Sequence, residues 1–208
     1  FDGEDTRTLI RDLLIQEHGA EGDQANIIAQ RISSWKNDRV LPEQALATAT
    51  SPADVLCAQA YLRYKRALKA YNALDFDDLI LLPTILFEHS PDILEKWQNH
   101  IHYLLVDEYQ DTNSSQYLLV KQLIGLGSGL TVVGDDDQSI YAWRGARPEN
   151  LVQLQEDFPG LKVVKLEQNY RSTARILKAA NTLIANNAHV FEKQLWSELG
   201  YGETIRII

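Results

Sequence analysis

The feature that most constrains this chain is a pair of short apolar runs that each stop at acidic residues. Leu104-Leu105-Val106 ends at Asp107-Glu108, and Leu130-Thr131-Val132-Val133 ends at Gly134-Asp135-Asp136-Asp137-Gln138. Such runs read as buried strands of a parallel α/β sheet, whose ligands bind beyond the carboxyl ends of the strands. The acids and the amide of Gln138 then stand at the edge that can hold a metal-bound phosphate. Strands are expected near 103–107, 130–134, 162–166 and 204–208. Helices near 113–124, 148–155 and 172–186 fall between them, the βαβ order of a doubly wound sheet.

The first third of the chain has another rhythm. From Thr6 to about Leu74 the pattern is helical, with Leu9, Leu13 and Leu14 on one face, then Ile27, Ile28, Ile32 and Trp35 on another. Ser51-Pro52-Ala53-Asp54 has a capping hydroxyl, proline at the first helical position and an acid three residues after the cap, which marks a helix start. The helix it opens carries Tyr61, Tyr64, Leu68 and Tyr71 at three-and-four spacing, a stripe expected to pack inward. Arg63, Lys65, Arg66 and Lys69 lie on its other side, as either a solvated basic face or a surface for phosphate backbone. Phe76-Asp77-Asp78-Leu79 and Ser90-Pro91-Asp92 introduce two more helices.

An apolar fraction of 45% is ample for a core, and 20 basic against 29 acidic residues leave a net charge of −9. Any nucleic-acid binding must therefore use a local patch. The single cysteine, Cys57, excludes an internal disulfide and fits a reducing cytoplasmic setting. No apolar stretch approaches membrane-spanning length. The chain contains no methionine and reads as a piece of a longer polypeptide.

Adjacent residues on a strand point to opposite faces, so only the looser geometry at a strand end lets Asp107 and Glu108 reach one site. In a nucleotide-hydrolysing site one carboxylate holds Mg²⁺ while its neighbour orients and deprotonates the attacking water. The plainer alternative is that the pair begins a polar loop and caps the next helix with Asp111, Thr112 and Asn113. Gly134 permits a close backbone approach, and the amide of Gln138 suits sensing a γ-phosphate or its water. A calcium loop on Asp135, Asp137 and Ser139 is disfavoured, because Ile140 stands where that loop needs glycine and Ala146 where it needs glutamate. Tyr141, Trp143, Arg144 and Arg147 surround Gly145. On a loop, such aromatics stack on unpaired bases while arginines pair with phosphates; on a strand, Tyr141 and Trp143 would be core. Arg171 stands where a strand passes into a helix, and could neutralise a transferring phosphoryl group or pair with Glu167 or a neighbouring acid.

Three segments carry a resemblance. They are Leu105-Val106-Asp107-Glu108-Tyr109-Gln110-Asp111-Thr112, then Val133 through Ala146, then Leu166-Glu167-Gln168-Asn169-Tyr170-Arg171-Ser172. In that order and at those separations they resemble the second, third and fourth motifs of the UvrD/Rep/PcrA-type superfamily 1 DNA helicases. Leu74 through Ile80 and Asn181 through Gly202 are similar to the bacterial Rep branch. The resemblance implies ATP-driven 3′ to 5′ movement on single-stranded DNA, with ATP and Mg²⁺ as cofactors, and duplex/single-strand junctions and replication or repair proteins as partners, in the bacterial cytoplasm. It implies Asp107 as the Mg²⁺ carboxylate, Glu108 as general base, Gln138 as γ-phosphate sensor, Arg171 as arginine finger and Tyr170 as the ring stacked on adenine. Tyr141, Trp143 and Arg144 resemble the contacts to single-stranded DNA. The implied architecture is a RecA-like parallel sheet with a helical insertion: 1–89 the insertion, 90–169 the second half of the first motor, and 170–208 the opening of the second.

The phosphate loop G-x-x-x-x-G-K-[ST] does not occur in this sequence. Taken alone, the chain is therefore expected to hydrolyse ATP negligibly and not to unwind DNA. Two other readings stay open: a catalytically inactive nucleic-acid-binding or interaction module of helicase descent, and a helicase-nuclease subunit of the wider superfamily.

Overall fold

A computed structural model describes residues 1–18 and 22–206. Four helices build the first layer: α1 (Gly3–His18), α2 (Gly22–Asn37), α3 (Pro42–Thr48) and α4 (Pro52–Ala70). Their core unites Ile10 and Leu14 of α1, Ala25, Ile28 and Ile32 of α2, Ala45 of α3, and Ala58, Tyr61, Tyr64 and Leu68 of α4. Each set follows helical spacing, so one stripe per helix leaves water, worth about 1.5–3 kcal/mol for each fully buried Leu or Ile. Helix α4 begins as its sequence dictates, with Ser51 Oγ accepting from the Asp54 amide at 3.1 Å and Pro52 in the first turn. Two expectations fail. Tyr71 is 65% exposed because it sits one residue past the end of α4, its ring beside Phe1. Ile27 is exposed because the inward stripe of α2 runs through Ala25, Ile28 and Ile32.

Helices α5 (Asp78–His89) and α6 (Pro91–His100) lead into β1 (Tyr103–Val106), followed by α7 (Ser114–Leu123), β2 (Gly129–Val132), α8 (Glu149–Asp157) and α9 (Ala174–Ile184). Strands β1 and β2 pair in parallel, with Tyr103 opposite Gly129 and Val106 opposite Val132. The short α7 crossover is what a parallel pair requires. Val106, Leu130 and Val132 pack on a second core of Tyr109, Tyr117, Leu151 and Leu154.

Among the described residues the only ladder is this two-stranded one, so the fold is a helix-rich α/β arrangement around a small parallel sheet. The expectation of strands buried on both faces is corrected: Tyr103 and Leu105 are exposed, while Leu104 and Val106 are half-buried. The expected strand at 162–166 is also corrected. Val163, Val164 and Leu166 are exposed, and pairing in this region reduces to one isolated bridge between Gln168 and Trp196. A ladder needs a partner strand, and the alternating residues find none here. Residues 204–206 are likewise irregular, and the end of that expected strand, 207–208, lies outside the described residues.

The end of α2 ties the helical layer to the sheet. Ser115 Oγ donates to the Lys36 carbonyl at 2.8 Å, and Asn113 Nδ2 donates to Asn37 Oδ1 at 2.9 Å. Lys36, 3% exposed, reaches back to Asp75 Oδ2 at 2.7 Å and Asp78 Oδ1 at 2.8 Å, and the Tyr64 hydroxyl also donates to Asp75. Burial pushes the Asp78 carboxyl up, and Lys36 opposes that rise.

Candidate functional site

Beyond Val106 the chain turns sharply. Glu108 adopts φ 49°, ψ 42°, the left-handed region that non-glycine residues seldom occupy and that costs about 1–3 kcal/mol. Its amide donates to Asp107 Oδ1 at 2.8 Å, and the next amide, Tyr109, donates to the Val133 carbonyl at 3.0 Å. This turn brings Asp107 and Glu108, neighbours in sequence, to one open cleft of about 340 Å³, shared with Asp111, Thr112 and Gln116. Asn113 caps α7, accepting from the Gln116 amide at 2.9 Å while Gln116 Oε1 accepts from the Asn113 amide at 3.0 Å. Capping therefore does not account for Asp107 or Glu108.

One residue of this site was not singled out from the sequence. Gln110 is 1% exposed; its Nε2 donates to Glu108 Oε2 at 2.8 Å and its Oε1 accepts from the Asp135 amide at 3.0 Å. A single amide thus links the turn after β1 to the turn after β2. Gly134 leaves room for it, since a Cβ there would lie 3.0 Å from Gln110 Oε1, a tight contact. The signal in the sequence was an uncharged amide set between Glu108 and Asp111, with glycine ahead of the second acidic run.

At the end of β2, Asp135 Oδ1 accepts from the Asp137 amide at 3.1 Å and Oδ2 accepts from Gln138 Nε2 at 2.6 Å. Gln138 itself is exposed. Lys193 lies against all three acids, its Nζ 2.5 Å from Asp135 Oδ1, 2.5 Å from Asp136 Oδ1 and 3.0 Å from Asp137 Oδ2. Burial pushes the Asp135 and Asp136 carboxyls up, but hydrogen bonds from Lys193, with Gln138 on Asp135 and the Val190 and Phe191 amides on Asp136, hold both below the usual carboxylate value. The three carboxylates raise the Lys193 pKa against its own burial. A lysine ammonium thus already contacts the acids that a calcium loop would need.

Tyr141 and Trp143 lie on and beside a short 3-10 turn, Ala142–Arg144, rather than on a core strand. Trp143 is 74% exposed, and its ring lies 6.3 Å from that of Tyr141. The side chain of Arg144 lies outside what the structure describes. Gly145 ends the turn at φ 87°. Beyond it Arg147 returns to the acidic turn, its amide donating to the Thr112 carbonyl at 2.9 Å and its guanidinium to Asp38 at 2.6 Å.

Tyr170 and Arg171 are exposed just before α9. The Tyr170 hydroxyl donates to Gln168 Oε1 at 2.9 Å, and Asn169 Oδ1 accepts from the Arg171 and Ser172 amides at 2.9 and 2.7 Å. Glu167 is not an ion partner of Arg171; its Oε1 accepts from the Gln194 amide at 2.7 Å. Hydrogen bonds join Asp107, Glu108, Gln110, Asp135 and Gln138 into one network, and among the described residues none extends it to Tyr170 or Arg171.

Comparison with known proteins agrees with this organisation. The UvrD/REP helicase N-terminal domain matches residues 1–159, and the UvrD-like helicase C-terminal domain matches residues 164–208. The chain is 58% identical to the ATP-dependent DNA helicase Rep of Escherichia coli and 57% identical to that of Salmonella typhimurium, each over 100% of the chain and 31% of the relative. It is 43% identical to the ATP-dependent DNA helicase UvrD1 of Mycobacterium tuberculosis, over 99% of the chain and 28% of that protein. The chain thus spans about a third of the length of these relatives. An acidic double turn bridged by a buried amide, matched along nearly the whole sequence by both helicase domains, means that the chain belongs to the UvrD/Rep helicase family.

Proposed function

We propose that the full-length protein containing this chain is an ATP-dependent DNA helicase that moves 3′ to 5′ on single-stranded DNA. Residues 1–89 are its helical insertion, 90–169 the second half of a RecA-like first motor, and 170–208 the opening of the second motor. The observation that carries this reading is the bridge through Gln110, which couples the two acidic strand ends.

The donor set suits the group the family uses. Asp107, Glu108 and Asp111 offer hard carboxylate oxygens to one cleft, and Asp111 Oδ1 is buried with no hydrogen-bond partner among the described residues. When bound, Mg²⁺ would neutralise charge on the β- and γ-phosphates. Asp107, with Asp111 beside it, would hold it. Glu108 would accept the proton of the attacking water at Oε1, because Oε2 is engaged by Gln110. Gln138 gives one amide hydrogen to Asp135 and has a second to donate to a γ-phosphate oxygen. Arg171 would neutralise charge developing on the transferred phosphoryl group, and Tyr170 would stack on adenine. Tyr141, Trp143 and Arg144 would carry unpaired bases and their phosphates.

The test uses the full-length protein. ATP turnover should rise with single-stranded DNA, and Glu108→Gln should abolish it while nucleotide binding persists. Undiminished turnover by Glu108→Gln would refute the assignment. A full-length protein without turnover under any condition would favour an inactive DNA-binding module of helicase descent. The chain by itself, which has no glycine-rich phosphate loop, should turn over ATP negligibly.

A further inference from the structure

Lys193 is distant in sequence from the acids it grips. Asp135, Asp136 and Asp137 belong to the segment matched by the N-terminal helicase domain, and Lys193 to the segment matched by the C-terminal one. Its neighbours reinforce the grip. The Val190 amide donates to Asp136 Oδ2 at 2.8 Å, and His189 Nδ1 lies 2.9 Å from Asp137 Oδ1. The side chains of Lys193, Asp136 and Asp137 are all less than one-fifth exposed, so water screens the cluster weakly. Asp135 is shared: one of its oxygens contacts Lys193 and the other holds the amide of Gln138, while its own backbone N–H is held by Gln110, which in turn holds Glu108. A path of hydrogen bonds therefore runs from Lys193 through Asp135 to Gln138 and to Glu108.

We propose that Lys193 is a positioning residue, through which the segment after α9 sets the orientation of Asp135 and hence of Gln138 at the end of β2. With Lys193 in place, Asp135 keeps one oxygen for Gln138, and the amide points in one direction. Without it, three adjacent carboxylates repel one another, Asp135 turns, and Gln138 loses its anchor. Any movement of the C-terminal segment relative to the sheet is then felt at Gln138. This inference rests on the role proposed above for the strand-end acids.

The experiment measures steady-state ATP hydrolysis by the full-length protein, with and without single-stranded DNA, for wild type, Lys193→Met, Lys193→Arg and Glu108→Gln. Methionine keeps the aliphatic stem and removes the charge. Lys193→Met should lower DNA-stimulated kcat by about tenfold or more with KM for ATP changed less than threefold, as expected for misplacement of a group that acts in the transition state. It should also shrink the ratio of stimulated to basal turnover, which a loss of folded protein alone would leave unchanged. Lys193→Arg, which keeps the cation, should recover most of the ratio. A wild-type ratio in Lys193→Met, or equal loss in the methionine and arginine variants, would overturn the positioning role. If Glu108→Gln retains turnover, the functional reading itself has failed, an outcome distinct from failure of the Lys193 inference.

Discussion

The carboxamide of Gln110 donates to the carboxylate of Glu108 at 2.8 Å from a position that is almost wholly buried. The same side chain accepts the Asp135 amide, so its removal disturbs both strand ends. Gln110→Ala should cost about 1–3 kcal/mol of stability, because it leaves the Asp135 N–H without a partner. In the full-length protein it should also lower kcat for ATP more than it changes KM. Denaturant unfolding and steady-state kinetics check the two effects separately, and an unchanged kcat would remove Gln110 from the site.

The buried Lys36 sits between Asp75 and Asp78 while its backbone carbonyl receives Ser115. Lys36→Met should destabilise by about 3–5 kcal/mol at neutral pH, since two buried carboxylates lose their counter-charge. Because burial raises the Asp78 pKa, that carboxyl holds its proton more readily folded than unfolded, and ionising it disfavours the folded state. The defect should therefore shrink as pH falls towards the carboxylate range. Urea midpoints measured between pH 8 and 4 decide this, and a deficit independent of pH would contradict it.

The carboxylates gripped by Lys193 are shifted the other way, so loss of that contact is expected only at lower pH. Asp135 and Asp136 titrate below the usual carboxylate value of 3.8, so their stabilising contribution is present above that value and is lost as pH falls through their folded pKa. The raised Lys193 pKa places the alkaline loss above the ordinary lysine value of 10.5. The stability difference between wild type and Lys193→Met should thus stay level from about pH 5 to pH 9 and collapse only in stronger acid. A difference that falls between pH 8 and 6 would contradict this assignment.

Trp143 presents its ring on a turn that Arg147 anchors to the acidic edge. Trp143→Ala in the full-length protein should weaken single-stranded DNA binding by about 1–3 kcal/mol, with little sequence preference, because every base offers a face to stack on. Fluorescence anisotropy with poly-dT and mixed-sequence oligonucleotides measures it. Unchanged affinity would leave the turn without a part in DNA contact.

Much of this protein was legible in local chemistry. The inward positions Leu14 of α1, Ile28 and Ile32 of α2 and Tyr61, Tyr64 and Leu68 of α4, the Ser51-Pro52 start of α4, the parallel strands that lead to Asp107 and Asp135, and the crossover α7 follow from periodicity and capping, which act within one or two turns of chain. Tertiary structure decided what depended on distant partners. Val163, Val164 and Leu166 carry strand-like residues, yet a ladder needs a neighbouring strand, and spacing along the chain does not supply one. Gln110 and Lys193 looked like ordinary polar residues until folding set one beside Glu108 and the Asp135 amide and the other against three carboxylates. Hydrogen bonds and ion pairs act over a few ångströms in space, so pairings between residues 25 or 58 positions apart exist only once the chain has folded.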